Sequence, residues 1–422
     1  MALSTKRVDE ETIRFHRVVE RGDLEELEMA VKSGAAADAP GHIGKTALML
    51  AIALKDLEKA KLLLRHGADP ELTVDFNATA LRRAVDADFE DGVRYLLSLG
   101  VDRGQHPKYP LKKIDYDLWA LDVPMPEELR QVMSEAEWQE SLEETTSEMG
   151  RTPTAEPIIR DVQSVAALKL FLEAGDELNL APNEVKRDLL ELENGGEIRA
   201  TVGDYRAHKS PRYGSRNPER MDFPFWKEMV RTGGGAYSAR LHFQDTDAFT
   251  KPGVVWCYDR FGASLTRLED GRYVQIGGEH EDFYDPDFCI YNDGVIHDGQ
   301  GGFQIYGYPK IVFPPTDFHT ATLCGDGIYV VGCLGYPDQR QEKFTPVYRL
   351  TLQSWEMEDV ETTGEMPGWI HGHTARYEPA RNAIRIRGGE LHVAAADGEL
   401  EMIPNAKKFE LDLTSFRWRS AK

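Results

Sequence analysis

A cluster of acidic and imidazole side chains follows two adjacent glycines in the stretch GGEHEDFYDPDFCIYND, which runs from Gly277 to Asp293. Histidine together with carboxylates suits a divalent transition metal or an acid–base pair. The segments CYDRFG, PPTDFHTAT and HGHTAR supply an arginine and more residues of these types, and an arginine could clamp a carboxylate or phosphate. The candidate binding residues are Arg260, Glu279, His280, Asp282, Tyr284, Asp285, Asp317, His319, His371 and His373.

Three interpretations of this cluster stay open: residues that only support the fold, a rim that binds a protein or ligand, and a catalytic site. The chain contains no GxSxG, no HExxH, no Walker-type phosphate loop and no dinucleotide loop. The sequence therefore identifies no catalytic residue and implies no particular cofactor. Whether the cluster holds a metal is left unknown at this stage.

Composition narrows the class of partner. The chain has 422 residues and a formal net charge of −22, which predicts two or three domains and disfavours nucleic acid and anionic membranes. We expect another protein with a basic or neutral surface as partner, and a homodimer is a further option. The N-terminal residues lack the apolar core of a signal peptide, and the four cysteines form no CxxC pair. A cytoplasmic location with buried thiols is expected.

The N-terminal part is repetitive. Gly34, Gly67 and Gly100 recur every 33 residues, and Thr46 and Thr79 share that spacing, each followed by Ala-Leu. Threonine can cap a helix start, and glycine suits the left-handed residue that ends a helix. This pattern resembles the ankyrin repeat, and the resemblance implies three repeats over residues 10–104 that stack as an α-solenoid and bind other proteins.

The next segments are less regular. Residues 105–200 are predicted to be a helical spacer, in which VAALKLFLEAGDELNLAP has the pattern of a degenerate repeat's second helix. From about Tyr205 the composition favours strands. Residues 201–254 are interpreted as an irregular lead-in or a divergent blade, because GAYSARLHF and GVVWCYDRF have the pattern of strands.

Residues 255–422 contain a second repeat. Three segments share one pattern: FGASLTRLEDGRYVQIGGE, FHTATLCGDGIYVVGCLG and HGHTARYEPARNAIRIRGGE. Each begins with Gly or His followed by Ser or Thr, which we call the polar step, and continues with two predicted strands and a glycine, at Gly277, Gly332 and Gly388. The pattern resembles the kelch repeat, which implies blades of a partial or small β-propeller, and histidines at the polar step that hydrogen-bond the neighbouring blade. Three blades do not close a propeller. Residues 201–254 could add a blade or cap the edge, or two chains could complete each other.

The sequence thus predicts a multidomain α + β protein with an N-terminal ankyrin solenoid and a C-terminal all-β kelch-like domain. The expected function is non-catalytic protein–protein interaction or scaffolding. A narrower version is an immunity- or antitoxin-type binder whose acidity masks a basic toxin. The alternative is a metal-assisted hydrolase or lyase with its pocket in the β domain around His280 and His319.

Overall fold

A computed structural model describes residues 10–39, 45–72, 79–104, 157–193, 195–245, 253–282, 285–394 and 400–421. The chain divides into two compact units, Met1–Val185 and Lys186–Lys422. Helices build the first unit, and sheets with a few short helices build the second. Of the helices in these ranges, none is both long enough and apolar enough to cross a membrane.

The first unit is a stack of helix pairs. Within each pair the two helices pack together, and α1, α3 and α5 also pack on one another in sequence. The described helices are α1 (Glu10–Arg21), α2 (Leu24–Lys32), α3 (Ala47–Ala53), α4 (Leu57–Arg65), α5 (Ala80–Asp86), α6 (Glu90–Ser98) and α7 (Val165–Glu173), with 3-10 turns at Ile158–Asp161 and Leu178–Leu180 and α8 (Asn183–Leu189) at the unit boundary.

The predicted capping residues act as expected in this stack. The Thr46 hydroxyl accepts the Met49 backbone N–H at 3.2 Å, and the Thr79 hydroxyl accepts that of Arg82 at 3.2 Å. Each cap satisfies one of the four N–H groups that a helix start leaves without an intrahelical partner. Gly67 closes its repeat at φ +93°, in the left-handed region. The core is apolar and fully buried, and it includes Leu48, Ile52, Leu63, Leu81, Val85, Val93 and Leu96.

A further helical segment continues the stack beyond the third repeat. Helix α7 packs against α6, and its N-cap Ser164 accepts the Ala167 N–H. Gly175 ends the segment at φ +93°, as Gly67 ends the second repeat. An ion pair of 2.8 Å between Arg82 and Asp161 joins the 3-10 turn to α5. The helix and closing glycine predicted in VAALKLFLEAGDELNLAP are therefore present, with a 3-10 turn where a repeat would have its first helix.

The second unit opens with helices α9 (Val202–His208), α10 (Pro224–Thr232) and α11 (Ala236–His242). The strands that follow or interleave are β1 (Glu219–Arg220), β2 (Ser264–Arg267), β3 (Tyr273–Ile276), β4 (Glu279–Asp282), β5 (Asp285–Ile290), β6 (Gly294–His297), β7 (Phe303–Gly307), β8 (Thr320–Cys324), β9 (Gly327–Val331), β10 (Val347–Thr351), β11 (Met357–Asp359), β12 (Thr363–Gly364), β13 (Trp369–His371), β14 (Thr374–Glu378), β15 (Ala383–Arg387), β16 (Glu390–Ala394), β17 (Leu400–Pro404), β18 (Lys408–Asp412) and β19 (Arg417–Ala421).

Three sheets follow one another along the chain, each with four antiparallel strands in a simple order. The first sheet runs β2-β3-β6-β7 with β1 at its edge, the second β8-β9-β10-β11, and the third β14-β15-β18-β19 with β12 at its edge. Two small sheets are added to these, β4-β5 and β13-β16-β17. Strands β4 and β5 lie between the second and third strands of the first sheet, and β16 and β17 lie at the same place in the third, whereas β13 precedes its first strand. The C-terminal unit is strand-rich as predicted, and none of these sheets closes into a barrel.

Adjacent sheets share apolar cores. Val274, Ile276 and Ile296 of the first sheet pack with Ile328 and Val330 of the second. On its other face the second sheet contributes Tyr329, Val331 and Val347 to a core that it shares with the third, and the third contributes Ile384, Ile386, Phe409, Leu411 and Trp418. Burying each large apolar side chain contributes about 1.5–3 kcal/mol, so these two cores hold the three sheets in sequence.

Backbone hydrogen bonds join the starts of the three sheets. The Phe318 N–H donates to the Gly262 carbonyl, and the Gly372 N–H donates to the Phe318 carbonyl, each at 2.8 Å. All three residues have φ between +47° and +61°, although only two of them are glycines. The same local turn thus precedes β2, β8 and β14, which explains the recurring step seen in the sequence.

Two strand predictions in the lead-in are wrong. GAYSARLHF contains helix α11, and its buried residues Ala236, Ala239 and Arg240 follow helical spacing rather than alternation. GVVWCYDRF, at residues 253–261, has no strand in its described backbone, and only Phe261 forms an isolated bridge, to Glu279. Between residues 201 and 245 the described chain forms three helices and the two-residue strand β1.

Candidate functional site

The acidic stretch forms a β-hairpin. Strands β4 and β5 pair antiparallel, with Glu279 opposite Ile290, His280 opposite Cys289, and Asp282 opposite Asp285. Tyr284 lies outside the described residues. The hairpin leaves the first sheet at Gly277, whose φ is +58° and where an added Cβ would lie 2.1 Å from the Thr316 carbonyl oxygen. Only glycine fits this approach of two backbones.

Arg260 lies buried at the base of this hairpin, where four of its five N–H donors are engaged in the bonds described next. Nε donates to the Cys257 carbonyl at 2.7 Å, Nη1 donates to the Gly277 carbonyl and to Asp293, and Nη2 donates to Asp293 at 3.1 Å. The guanidinium stacks 3.5 Å from the Tyr291 ring centroid. Burial disfavours the charged form, yet the Asp293 carboxylate holds the pKa of Arg260 above its usual value. These contacts fix the fold, and a substrate clamp would have to replace them.

His319 and His373 connect neighbouring sheets. His319 Nε2 hydrogen-bonds the Ser264 hydroxyl at 2.8 Å, and His373 Nε2 hydrogen-bonds the Thr320 hydroxyl at 2.9 Å. Each histidine is nearly fully buried, and burial lowers the pKa of each to about 3, so both are neutral at pH 7. The geometry matches the inter-blade bond that the kelch resemblance implies. Their predicted role in ligand binding has no support in these contacts.

Two carboxyl groups from different segments meet beside the hairpin. Asp317 is completely buried, and its Oδ1 accepts the Gly335 N–H at 2.7 Å. Burial raises the pKa of Asp317, against the opposing effects of that hydrogen bond and of one with the Glu279 side chain. The side chains of Glu279 and Asp317 therefore contact each other. His319, two residues further along, lies in the contact with Ser264 instead, because Phe318 between them adopts φ +47°.

A second group of side chains, around His371, was identified only in part from the sequence. His371 lies on β13 opposite Glu390 on β16, with 3.8 Å between His371 Nε2 and Glu390 Oε2. The His392 ring lies 5.2 Å from the His371 ring, centroid to centroid. His392 is 1 % exposed, neither of its ring nitrogens has a hydrogen-bond partner among the residues that the structure describes, and burial lowers its pKa to about 4. The alternation of Glu390 and His392 in ELHVA was the signal that could have identified it.

Four of the predicted residues therefore lie in three separate contacts. Arg260 pairs with Asp293, Glu279 meets Asp317, and His371 meets Glu390. Over the described ranges, no set of three or more histidine, cysteine, aspartate or glutamate side chains has the geometry to hold a metal ion.

One cavity of about 290 Å³ lies beside the Arg260–Asp293 pair. Ser210, Arg212 and Tyr213 line one part of it, and Cys289 to Asp293 line another. The polar groups at its wall are largely engaged: Asn292 donates to the Tyr308 and Phe313 carbonyls. All four cysteines are described, and none forms a disulfide. The cavity offers a small surface of mixed polarity, and its lining includes the Cys289 thiol.

Comparison with known proteins identifies the N-terminal repeats. Residues 15–105 match the family model described as ankyrin repeats (3 copies). The prediction of three ankyrin repeats is thereby confirmed, and such repeats are generic protein-interaction modules. No family match supports the kelch-like resemblance of the C-terminal unit. No curated protein matches the chain.

Proposed function

We propose that this protein is a non-catalytic interaction protein whose ankyrin unit binds another protein. The observation that carries the proposal is the three-repeat stack, matched over residues 15–105, with threonine caps on α3 and α5 and an apolar core. Such a stack is rigid and presents equivalent positions of successive repeats side by side. A rigid surface loses little conformational entropy on binding.

The C-terminal ends of α1, α3 and α5, the first helices of the three repeats, offer the best candidate surface for binding a partner. Arg21, Leu54 and Ala87 occupy equivalent positions of the three repeats, and Leu54 in the middle is 49 % exposed. The Lys55 ammonium donates to the Asp88 carbonyl at 3.1 Å and so links the turn after α3 to the turn after α5. An exposed leucine at the centre of a fixed ridge offers apolar surface that a partner can bury.

The net charge of −22 favours a partner with a basic or neutral surface. An immunity- or antitoxin-type binder that masks a basic toxin is the narrower form of this proposal. A second copy of the chain is another partner compatible with it.

For the C-terminal unit we propose a partial kelch-like propeller that acts as a second scaffold. Three consecutive four-stranded antiparallel sheets and the repeated bonds of His319 to Ser264 and of His373 to Thr320 support this architecture. An enzyme centred on His280 and His319 is less well supported, because the Nε2 atom of His319 is engaged with Ser264 inside the fold.

Affinity capture tests the proposal. Tagged whole chain, a Leu54→Glu variant and a Leu99→Glu control are each incubated with lysate of the source cells, and retained proteins are quantified. Leu99 is also an exposed leucine, at 47 %, but it follows the second helix of its repeat. We expect a protein retained by the whole chain and the control and lost with Leu54→Glu. Equal retention by all three, or none by any, would count against the proposal.

A further inference from the structure

The outer face of the third sheet is basic, although the chain as a whole is acidic. The face opposite the shared apolar core carries twelve side chains of β14, β15, β18 and β19, in which six basic residues stand against three acidic ones, a net formal charge of +3. We call this surface the basic face. Its basic residues are exposed, and they are Arg376, Arg385, Arg387, Lys408, Arg417 and Arg419.

The register of the strands places these residues side by side. Arg376 lies opposite Arg385, Arg385 opposite Glu410, and Glu410 opposite Arg419, so one row crosses all four strands. Glu410 is completely buried, and it accepts hydrogen bonds from Arg385, Arg419 and Arg381. These bonds hold the guanidinium groups of Arg385 and Arg419 in place. The remaining N–H donors of these groups are oriented before any ligand arrives, which lowers the entropy cost of binding.

The basic face occupies the position where another sheet would pack. In the second sheet the corresponding positions are Val331, Val347 and Tyr329, all buried against the third sheet, whereas the third sheet has Arg387, Lys408 and Arg385 there. Charged residues at these positions exclude a further apolar sheet, because burying them unpaired would cost several kcal/mol each.

The third sheet has a glycine and a threonine at the positions through which the second sheet contacts the next one. An added Cβ at Gly332 would meet the Ile370 carbonyl of the following segment at 2.3 Å, whereas Gly388, its counterpart, has no described atom within 4 Å of that position. Thr374, the counterpart of Thr320, makes only weak 3.4 Å contacts with Arg387 and no bond to a histidine of the described ranges. The edge is therefore open along the described chain.

We propose that the basic face binds an extended acidic segment of a partner polypeptide. Arg385 and Arg387 on β15, and Arg417 and Arg419 on β19, are two residues apart on one face, which places them about 6.8 Å apart along each strand. Alternate side chains of an extended peptide repeat at the same distance, so its carboxylates can meet successive arginines in bidentate pairs. Four strands span only about 15 Å. A short acidic segment fits within that area, whereas a longer polyanion would extend over a chain of net charge −22.

Fluorescence anisotropy with a defined probe tests this proposal. The probe is a fluorescein-labelled peptide of about six residues in which Glu and Ser alternate, so that an extended chain presents all its carboxylates on one side and matches the length of the face. It is titrated with the whole chain at low salt, and a single-stranded oligonucleotide of equal charge is titrated in parallel. Sedimentation velocity records the oligomeric state at the same concentrations.

The test variant is R376Q/R387Q/R417Q, which leaves Glu410 and its hydrogen-bonded arginines intact. The control is R206Q/R216Q/R220Q, which removes three exposed arginines elsewhere in the same unit and changes the net charge equally. We expect the test variant to weaken peptide binding at least about tenfold and the control less than about twofold, since pairs formed at fixed sites exceed a general charge effect. Unchanged melting curves for both variants confirm folding.

Three outcomes would overturn the proposal. The first is that the peptide fails to bind or that both variants lose affinity equally. The second is that the oligonucleotide binds more tightly than the peptide and loses affinity with the test variant, which would assign the face to nucleic acid. The third is that the chain forms a dimer that only the test variant abolishes, which would assign the face to a second copy.

Discussion

Replacing His373 with alanine tests whether a buried imidazole joins the second and third sheets. His373 is 5 % exposed, and its Nε2 lies 2.9 Å from the Thr320 hydroxyl. The ring also packs so closely that an added Cβ on Gly332 would lie 2.9 Å from its Cε1 atom. His373→Ala removes one hydrogen bond, worth about 1 kcal/mol, and leaves a cavity at a tightly packed contact. We expect the free energy of unfolding to fall by about 2–4 kcal/mol.

Urea denaturation followed by tryptophan fluorescence measures this loss, because Trp418 is buried between the same two sheets. A double-mutant cycle with Thr320→Val isolates the hydrogen bond, for which we expect a coupling of about 1 kcal/mol. His66→Ala, at an exposed histidine of the ankyrin unit, is the control and should change stability by less than about 0.5 kcal/mol. A loss with His373→Ala as small as that of the control, or a coupling of zero, would refute the reasoning.

Three further predictions concern the same unit. His373 has a pKa of about 3 in the fold against an ordinary value of 6.5, so its contribution to stability is complete above pH 6.5 and is lost as the pH falls toward 3, by about 1.4 kcal/mol per pH unit. Denaturation of His373→Gln across that window should therefore show a slope smaller by that amount, and an unchanged slope would contradict the assignment. Gly277→Ala should destabilise by at least about 2 kcal/mol through its clash with the backbone, whereas Gly388→Ala should cost only about 1 kcal/mol for its left-handed φ; equal losses in thermal melts would show that no close approach exists at Gly277. Glu410→Gln removes the buried charge shared by three arginines and should cost about 3 kcal/mol, while Glu378→Gln, half-buried at the edge of the same face, should cost less than about 0.5 kcal/mol in the same urea assay; comparable effects would argue against the arginine cluster.

The helical repeats could be predicted from sequence because their signals are local. A threonine cap, an apolar stripe and a closing glycine all lie within one 33-residue unit, as at Thr46, Leu48 and Gly67. Strand pairing depends on distant partners, so short segments are ambiguous. GAYSARLHF contains aromatic and apolar residues suited to either structure, and contacts elsewhere in the unit select the helix.

The site could be predicted only in part for a related reason. The sequence grouped Glu279 and Asp317 as candidate residues, and the contact between them depends on how the two segments pack. It also identified the histidines at the polar step, but not whether they face a ligand or the neighbouring sheet. Their partners Ser264 and Thr320 are 55 and 53 residues away. His392 remained unnoticed because its relation to His371 arises only when β13 pairs with β16.

The basic face could not be predicted from the sequence either. Its arginines and Lys408 are separated by up to 43 residues between Arg376 and Arg419, and acidic residues lie among them in the chain. Only the antiparallel register brings Arg376, Arg385 and Arg419 into one row and places the neutralising Glu410 beneath them. Net charge describes the whole surface on average and therefore missed this local reversal.

The affinity of the ankyrin unit for its captured partner tests the central claim most directly. Calorimetric titration compares the whole chain with Leu54→Glu and with the control Leu99→Glu. Because a central anchor residue contributes about 2 kcal/mol or more, we predict that Leu54→Glu raises Kd at least about thirtyfold and that Leu99→Glu changes it less than about twofold. The same Kd for the whole chain and for Leu54→Glu would contradict binding through this ridge of ankyrin helices.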